Sequence, residues 1–141
     1  MNIGGHIVPE NLLYSDNHVW AKVRNDTLIL GVTDFLQKLL GTIISVHLSG
    51  NSHLITRGDP IVWLESVRAI VAVLSPINCE MIEINEKLME KPHIINMEPY
   101  DRGWIAVVKV LNKNDMRAFK SAEAYVKTIL ALSQCGRCQV S

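Results

Sequence analysis

Two short stretches carry residue types that could do chemistry. Glu65-Ser-Val-Arg-Ala69 lies between two apolar runs, Ile61 to Leu64 and Ile70 to Leu74, so its charged and small residues are expected at an exposed hairpin tip. There Arg68 is either an ordinary solvated turn charge or a fixed cation offered to a carboxylate or phosphate of a partner. Cys135-Gly-Arg-Cys138 is a CxxC spacing, which supports dithiol–disulfide exchange where a helix N-terminus lowers a thiol pKa. Here the pair follows a helical pattern instead of opening one, and two exposed tail thiols are the plainer reading. A structural zinc needs four ligands, and only Cys79 or a distant histidine could add to this pair, so no metal site is expected.

The remaining candidates are scattered. His6, His47, His53 and His93 form no HxxxH or HExxH pattern and no cluster with cysteine, so neither a metal site nor a histidine-based triad is indicated. No glycine-rich phosphate loop is present. Trp63 and Trp104 lie in apolar runs and are expected in the core.

These residues must be positioned by a chain of mostly β character. His18 to Val23 alternates, and Thr27 to Val32 follows after Asn25-Asp26, the chemistry of a two-residue hairpin turn. Thr33 or Asp34 can cap a short helix over Phe35 to Leu40, with Gly41 just past its end. Strands are then expected at Ile43 to Leu48, Pro60 to Glu65, Ile70 to Leu74, Glu80 to Ile84 and Trp104 to Val110, with a turn at Gly50-Asn51. Asn85 to Gly103 reads as loop with one helical turn at Glu86 to Met89. Asp115 to Leu132 reads as one long helix, with Asp115 meeting the positive end of its dipole. The pattern is a small antiparallel sandwich or barrel with a C-terminal helix laid on it.

Composition narrows the function classes. The 141 residues suit one domain, and 48% hydrophobic with 20% charged residues is ordinary for a folded chain of mean hydropathy +0.16. Fourteen Lys and Arg balance fourteen Asp and Glu, which removes the basic footprint of a nucleic-acid binder and favours self-association near neutral pH. That zero is uneven: five acidic and two basic residues fall in Glu80 to Glu98, and six basic and two acidic in Ile105 to Ser141. No stretch approaches the length of a membrane span, and Met1-Asn-Ile-Gly-Gly-His resembles no targeting segment. Three cysteines fit a reducing compartment, and a cytoplasmic location is expected.

A family resemblance runs in one register from Tyr14 to Tyr125. Tyr14-Ser-x-x-His-x-Trp20, Gly31-Val-Thr-Asp-Phe35, Leu40-Gly41, Glu65-Ser-Val-x-Ala69, Pro76, Asn85, Asn96, Pro99-Tyr100, Gly103-Trp104 and Ala122-Glu-Ala-Tyr125 resemble the H protein of the glycine cleavage system. The resemblance implies a lipoyl-domain-like barrel-sandwich hybrid with a short internal helix and a C-terminal helix. On this basis residues 14–132 form the H-protein-like domain, 1–13 an N-terminal extension and 133–141 a flexible tail. It also implies a protein that is not itself an enzyme. Such a protein carries a lipoyl group on a lysine of the hairpin tip and presents it to the decarboxylase, the aminomethyltransferase and dihydrolipoamide dehydrogenase in turn.

The departure falls on that lysine. Its position is Arg68, and no lysine occurs between Lys38 and Lys87 to serve after a slip in register. Lipoylation forms an amide on a neutral amine, which lysine can become and a delocalised guanidinium cannot. No lipoyl cofactor is therefore expected. Glu65, which in the family helps lipoylating enzymes recognise the hairpin, is kept. Cys79 replaces a glycine of the second hairpin and would be strained if that turn needs a positive φ. Val71 and Ala72 stand where the family usually has Ser and Asp, which makes the tip less polar, unless Val71 faces inward.

Three functions follow from the resemblance and its departure. The first is a non-lipoylated partner, regulator or adaptor of lipoate-dependent enzymes, binding through Glu65, Ser66, Val67, Arg68 and Ala69. The second is an authentic aminomethyl carrier, against which Arg68 stands. The third is a redox module in which Cys135 and Cys138 exchange with a lipoamide-dehydrogenase-like partner. Protein partners, and neither nucleic acid nor membrane, are expected in each.

Overall fold

The structure, a computed structural model, describes residues 1–50 and 52–134. Alternating apolar residues fold into β3 (Leu13–Tyr14), β4 (Val19–Arg24) and β5 (Thr27–Val32). Asn25 takes the left-handed conformation, φ 56°, that a tight β4–β5 turn requires and that asparagine tolerates. Ahead of them, β1 (Asn2–Ile3) and β2 (His6–Ile7) form a two-stranded ribbon of their own. The N-terminal thirteen residues are thus folded against the body of the protein: Val8 and Leu12 are buried.

After β5 comes α1 (Asp34–Leu40), with Thr33 as its N-cap accepting from the Leu36 N–H. The expected cap and the expected stop both occur, since Gly41 has φ 75° and its N–H closes on the Gln37 carbonyl. The chain continues through β6 (Ile43–Leu48), β7 (Leu54–Ile55), β8 (Pro60–Ser66), β9 (Ile70–Leu74) and β10 (Cys79–Ile84). Two single turns, α2 (Lys87–Glu90) and α3 (Ile94–Met97), precede β11 (Ala106–Val110). Two sheets result, in the orders β3-β4-β5-β11-β10-β7 and β6-β8-β9. Their inward residues, with Leu36 and Leu40 of α1, close one apolar core that includes Val19, Leu28, Leu30, Val46, Leu64, Val73 and Val108. Fully burying each such side chain is worth about 1.5–3 kcal/mol. The expected barrel-sandwich hybrid with an internal and a C-terminal helix is the observed fold.

The C-terminal segment differs from expectation. One helix over Asp115 to Leu132 is replaced by a 3₁₀ helix, Lys113–Ala118, and a separate α4 (Ala122–Gln134). Helical spacing ran through both, but Lys120 pairs with Tyr14 in an antiparallel bridge, exchanging N–H···O bonds of 2.6 and 2.9 Å. The chain there is extended, and Ser121 Oγ then accepts from the Ala124 N–H to start the helix afresh. Asp115 meets no α-helix dipole. Its carboxylate accepts instead from the Asn78 N–H.

Other expectations are corrected at single residues. Trp63 is 40% exposed on the outer face of β8. Trp104 lies just before β11, half-buried against a second apolar cluster built from Tyr14, Trp20, Phe35, Tyr125 and Ile129. Cys79 is fully buried and begins β10 without a positive φ, so it carries no backbone strain.

Candidate functional site

The hairpin expected around Glu65 forms between β8 and β9. Ser66 and Ala69 close it, the Ser66 N–H donating to the Ala69 carbonyl at 2.8 Å, which leaves Val67 and Arg68 as the two-residue tip. Ser66 is what fixes the turn. Its buried hydroxyl oxygen accepts from the backbone N–H groups of Arg68 and Ala69, each at 3.1 Å, and donates to the Ala69 carbonyl.

The tip leans on the end of α1. Arg68 Nη1 donates to the carbonyls of Lys38 and Leu39 at 3.0 and 2.8 Å, two of the groups a helix leaves unpaired at its C-terminus. The cation also faces the negative end of the helix dipole. Val67 N–H donates to the Thr42 carbonyl at 3.1 Å, so the tip backbone is fastened to the segment that leaves α1. Beneath that segment Asn96 reads three groups at once: its Nδ2 donates to Gln37 Oε1 and the Gly41 carbonyl, and its Oδ1 accepts from the Ile43 N–H. Arg68 and Val67 remain exposed.

The residues fit poorly with an attached lipoyl group. The only side chain at the tip with nitrogen atoms is a guanidinium, which offers no neutral amine, and its Nη1 is already committed to backbone carbonyls.

On the sheet face below the tip, Glu65 belongs to a polar cluster that the sequence alone did not reveal. Ser45 Oγ donates to Glu65 Oε1 at 2.8 Å and lies 2.8 Å from His47 Nε2. The only sequence signal was Ser45 and His47 two apart on a strand, hence on one face. The order of atoms is not that of a nucleophilic triad, because the serine hydroxyl donates to the carboxylate, and that carboxylate lies 3.6 Å from the same Nε2 that faces the serine and not on the far side of the ring. Trp63, Ile70 and Ala72 share this outer face: Ala72 pairs with Trp63, and Ile70 with Glu65. Ala72 thus faces outward, whereas Val71 packs inward on the core.

The remaining candidates lie elsewhere. His18 has φ 64° and its Nδ1 lies 2.8 Å from the Tyr125 hydroxyl, which also lies 2.7 Å from Thr33 Oγ1. Burial pushes the His18 imidazole below its usual pKa. Trp20 Nε1 donates to the Pro99 carbonyl at 2.9 Å. Both residues tie the body of the fold to its periphery. In Asp34, burial works to raise the pKa, but bonds from the Ile7 N–H, Gln37 and Lys38 outweigh it and hold the carboxyl low. Burial pushes the Cys79 thiol up. Cys135 and Cys138 lie outside the described residues. Among the described residues no group of three His, Cys, Asp or Glu could hold a metal, and no helix is long and apolar enough to cross a membrane.

Comparison with known proteins bears on the family and the fold. The family model described as glycine cleavage H-protein matches residues 12–131. A glycine cleavage system H protein of Halothermothrix orenii is 42% identical over 120 residues, covering 85% of this chain and 94% of its own. A probable glycine cleavage system H protein of Thermococcus gammatolerans is 37% identical over 134 residues, covering 94% and 99%. The crystal structure of a glycine cleavage system H protein from Mycobacterium marinum superposes with a TM-score of 0.76 at 19% identity, over 86% of this chain and 98% of that one, a likeness of fold.

Proposed function

The chain belongs to the glycine cleavage H-protein family, and from that premise we propose that it acts as a non-lipoylated member, binding enzymes of a lipoate-dependent system through its β8–β9 tip. Family membership supports protein partners. The single observation that carries the reading is Arg68, which stands at the tip with its guanidinium bonded to the end of α1. A carrier works by swinging one arm among several active sites, and a side chain tied to two carbonyls is held where an arm would have to be free. What the tip retains is a shape and a charge pattern. Glu65 with Ser45 and His47, the exposed Val67 and the cation of Arg68 form a surface that a lipoyl-domain-binding cleft can receive without chemistry. On this reading the protein is no enzyme and needs no cofactor, and it competes with lipoylated tips or holds their enzymes in a complex.

The second reading is an authentic aminomethyl carrier, which fits the names of the relatives equally well. Co-expression with a lipoate ligase, followed by intact mass, separates the two. An unchanged mass supports the binding role. A gain of one lipoyl group refutes it.

A further inference from the structure

The three-stranded sheet ends in β9, and among the described residues no strand pairs with that edge. In an antiparallel ladder, alternate residues turn their N–H and C=O groups toward the neighbouring strand and away from it. Ser66 and Ala69 form a bonded pair, so the alternation through Leu64↔Val71 and Val62↔Val73 directs the backbone groups of Ile70, Ala72 and Leu74 off the free edge. No strand, turn or loop backbone bonds to them among the described residues. The other edges are managed. β3 and β7 are two residues long, β3 also bridges to Lys120, and β6 lies against α2.

β9 lacks the devices that keep edges apart. Ile70-Val-Ala-Val-Leu74 has no charge, proline or glycine, is rich in β-branched residues, and leaves Ile70 66% exposed. The acidic side chain that the family resemblance leads one to expect at position 72 would sit in the middle of this edge. Ala72 leaves it uncharged.

We propose that β9 is a homodimer interface, pairing antiparallel with β9 of a second copy about a two-fold axis at Ala72. The occupant follows from self-complementarity. In this register Ile70 meets Leu74 of the other copy and Ala72 meets Ala72, so every outward N–H and C=O finds a partner, about six hydrogen bonds in all. The outer-face side chains suit it as well. Two large apolar residues are opposed at each end, and the smallest meets itself at the axis, beside Trp63 of the adjacent strand. No like charges are opposed along the strands, and a net charge of zero sets no long-range repulsion between copies. The interface is isologous and joins two three-stranded sheets into one. Its small extent makes it a weak dimer, dissociating in the micromolar range or above. The pairing would set both tips on one continuous sheet, pointing in opposite directions along it.

Sedimentation equilibrium of the full chain under reducing conditions, from micromolar to millimolar protein, tests this. The expected result is a mass rising from 15.8 kDa toward twice that value. Ala72→Asp and Ile70→Lys should each raise the dissociation constant at least about tenfold by opposing charge or placing it on the edge, with circular dichroism unchanged. Leu54→Lys, on the exposed face of β7, should leave association as it was. Hydrogen exchange on the unaltered protein gives an independent reading: the Ile70, Ala72 and Leu74 amides should slow as concentration rises. A monomer at every concentration, a dimer indifferent to both β9 substitutions, or amides with concentration-independent exchange would each overturn the proposal.

Discussion

Arg68 Nη1 lies 2.8 Å from the carbonyl oxygen of Leu39, so the residue at the hairpin tip completes the C-terminal turn of a helix in another part of the chain. The same nitrogen reaches Lys38. Helix and tip therefore form one unit, joined further by Val67 to Thr42 and by Asn96 underneath.

Truncating that contact should loosen the unit modestly. Arg68→Ala removes two charge-assisted bonds and a favourable dipole contact, but the site is exposed, so the loss should be about 0.5–1 kcal/mol by urea denaturation. The expected companion is faster amide exchange at Val67, whose N–H donates to the Thr42 carbonyl just past the helix end that Arg68 holds.

Asn96 should matter more. Asn96→Ala leaves the Ile43 N–H, the Gly41 carbonyl and Gln37 Oε1 without their shared partner. Partly buried groups left unpaired cost about 1–3 kcal/mol, and the midpoint of chemical unfolding should fall accordingly while the slope stays the same.

Gly31 is required by Trp20. A Cβ added there would meet the indole at 2.5 Å. Gly31→Ala should displace the ring, break its bond to the Pro99 carbonyl and cost about 1–3 kcal/mol. Tryptophan fluorescence should shift to longer wavelength in the folded state.

Stability should fall on acidification through His18. Burial lowers its folded pKa from the usual 6.5, so the folded state binds fewer protons than the unfolded one. Its contribution is present above the unfolded value and is lost as pH falls below about 6.5 toward the depressed folded value. Asp16 and Lys120 act on it in opposite directions, and Tyr125 contacts its ring. His18→Asn tolerates the positive φ and should flatten the dependence of the unfolding free energy on pH between 5 and 7. His6, also lowered chiefly by burial, should supply the remaining slope.

The strands and the first helix were legible because period, cap and stop agreed. Thr33, the run to Leu40 and Gly41 all spoke for one helix, and that helix is present. Where the sequence misled, a long-range contact had overruled a local pattern. The spacing of Met116, Phe119 and Val126 reads as one helix only until Lys120 bridges to Tyr14, a partner more than a hundred residues away. Trp63 lay in an apolar run and so resembled core, yet alternation in β8 puts it on the outer face, and hydrophobicity alone carries no sign for which face is inside. The same alternation separates Val71 from Ala72, which adjacent small apolar letters could not. For the site, the identity of Arg68 was visible in one line of sequence. Its bonds to Lys38 and Leu39, and the Ser45–His47–Glu65 cluster, depend on neighbours that only the folded sheet brings together.

The proposed role rests on what the tip can accept, and intact mass after co-expression with a lipoate ligase reads that directly. The unaltered protein should keep its unmodified mass, while Arg68→Lys, which supplies the missing amine on the same hairpin, should gain one lipoyl group and show the ligase to be active on this tip. A lipoyl group on the protein that still carries Arg68 would contradict the reading and return the chain to the carriers it resembles.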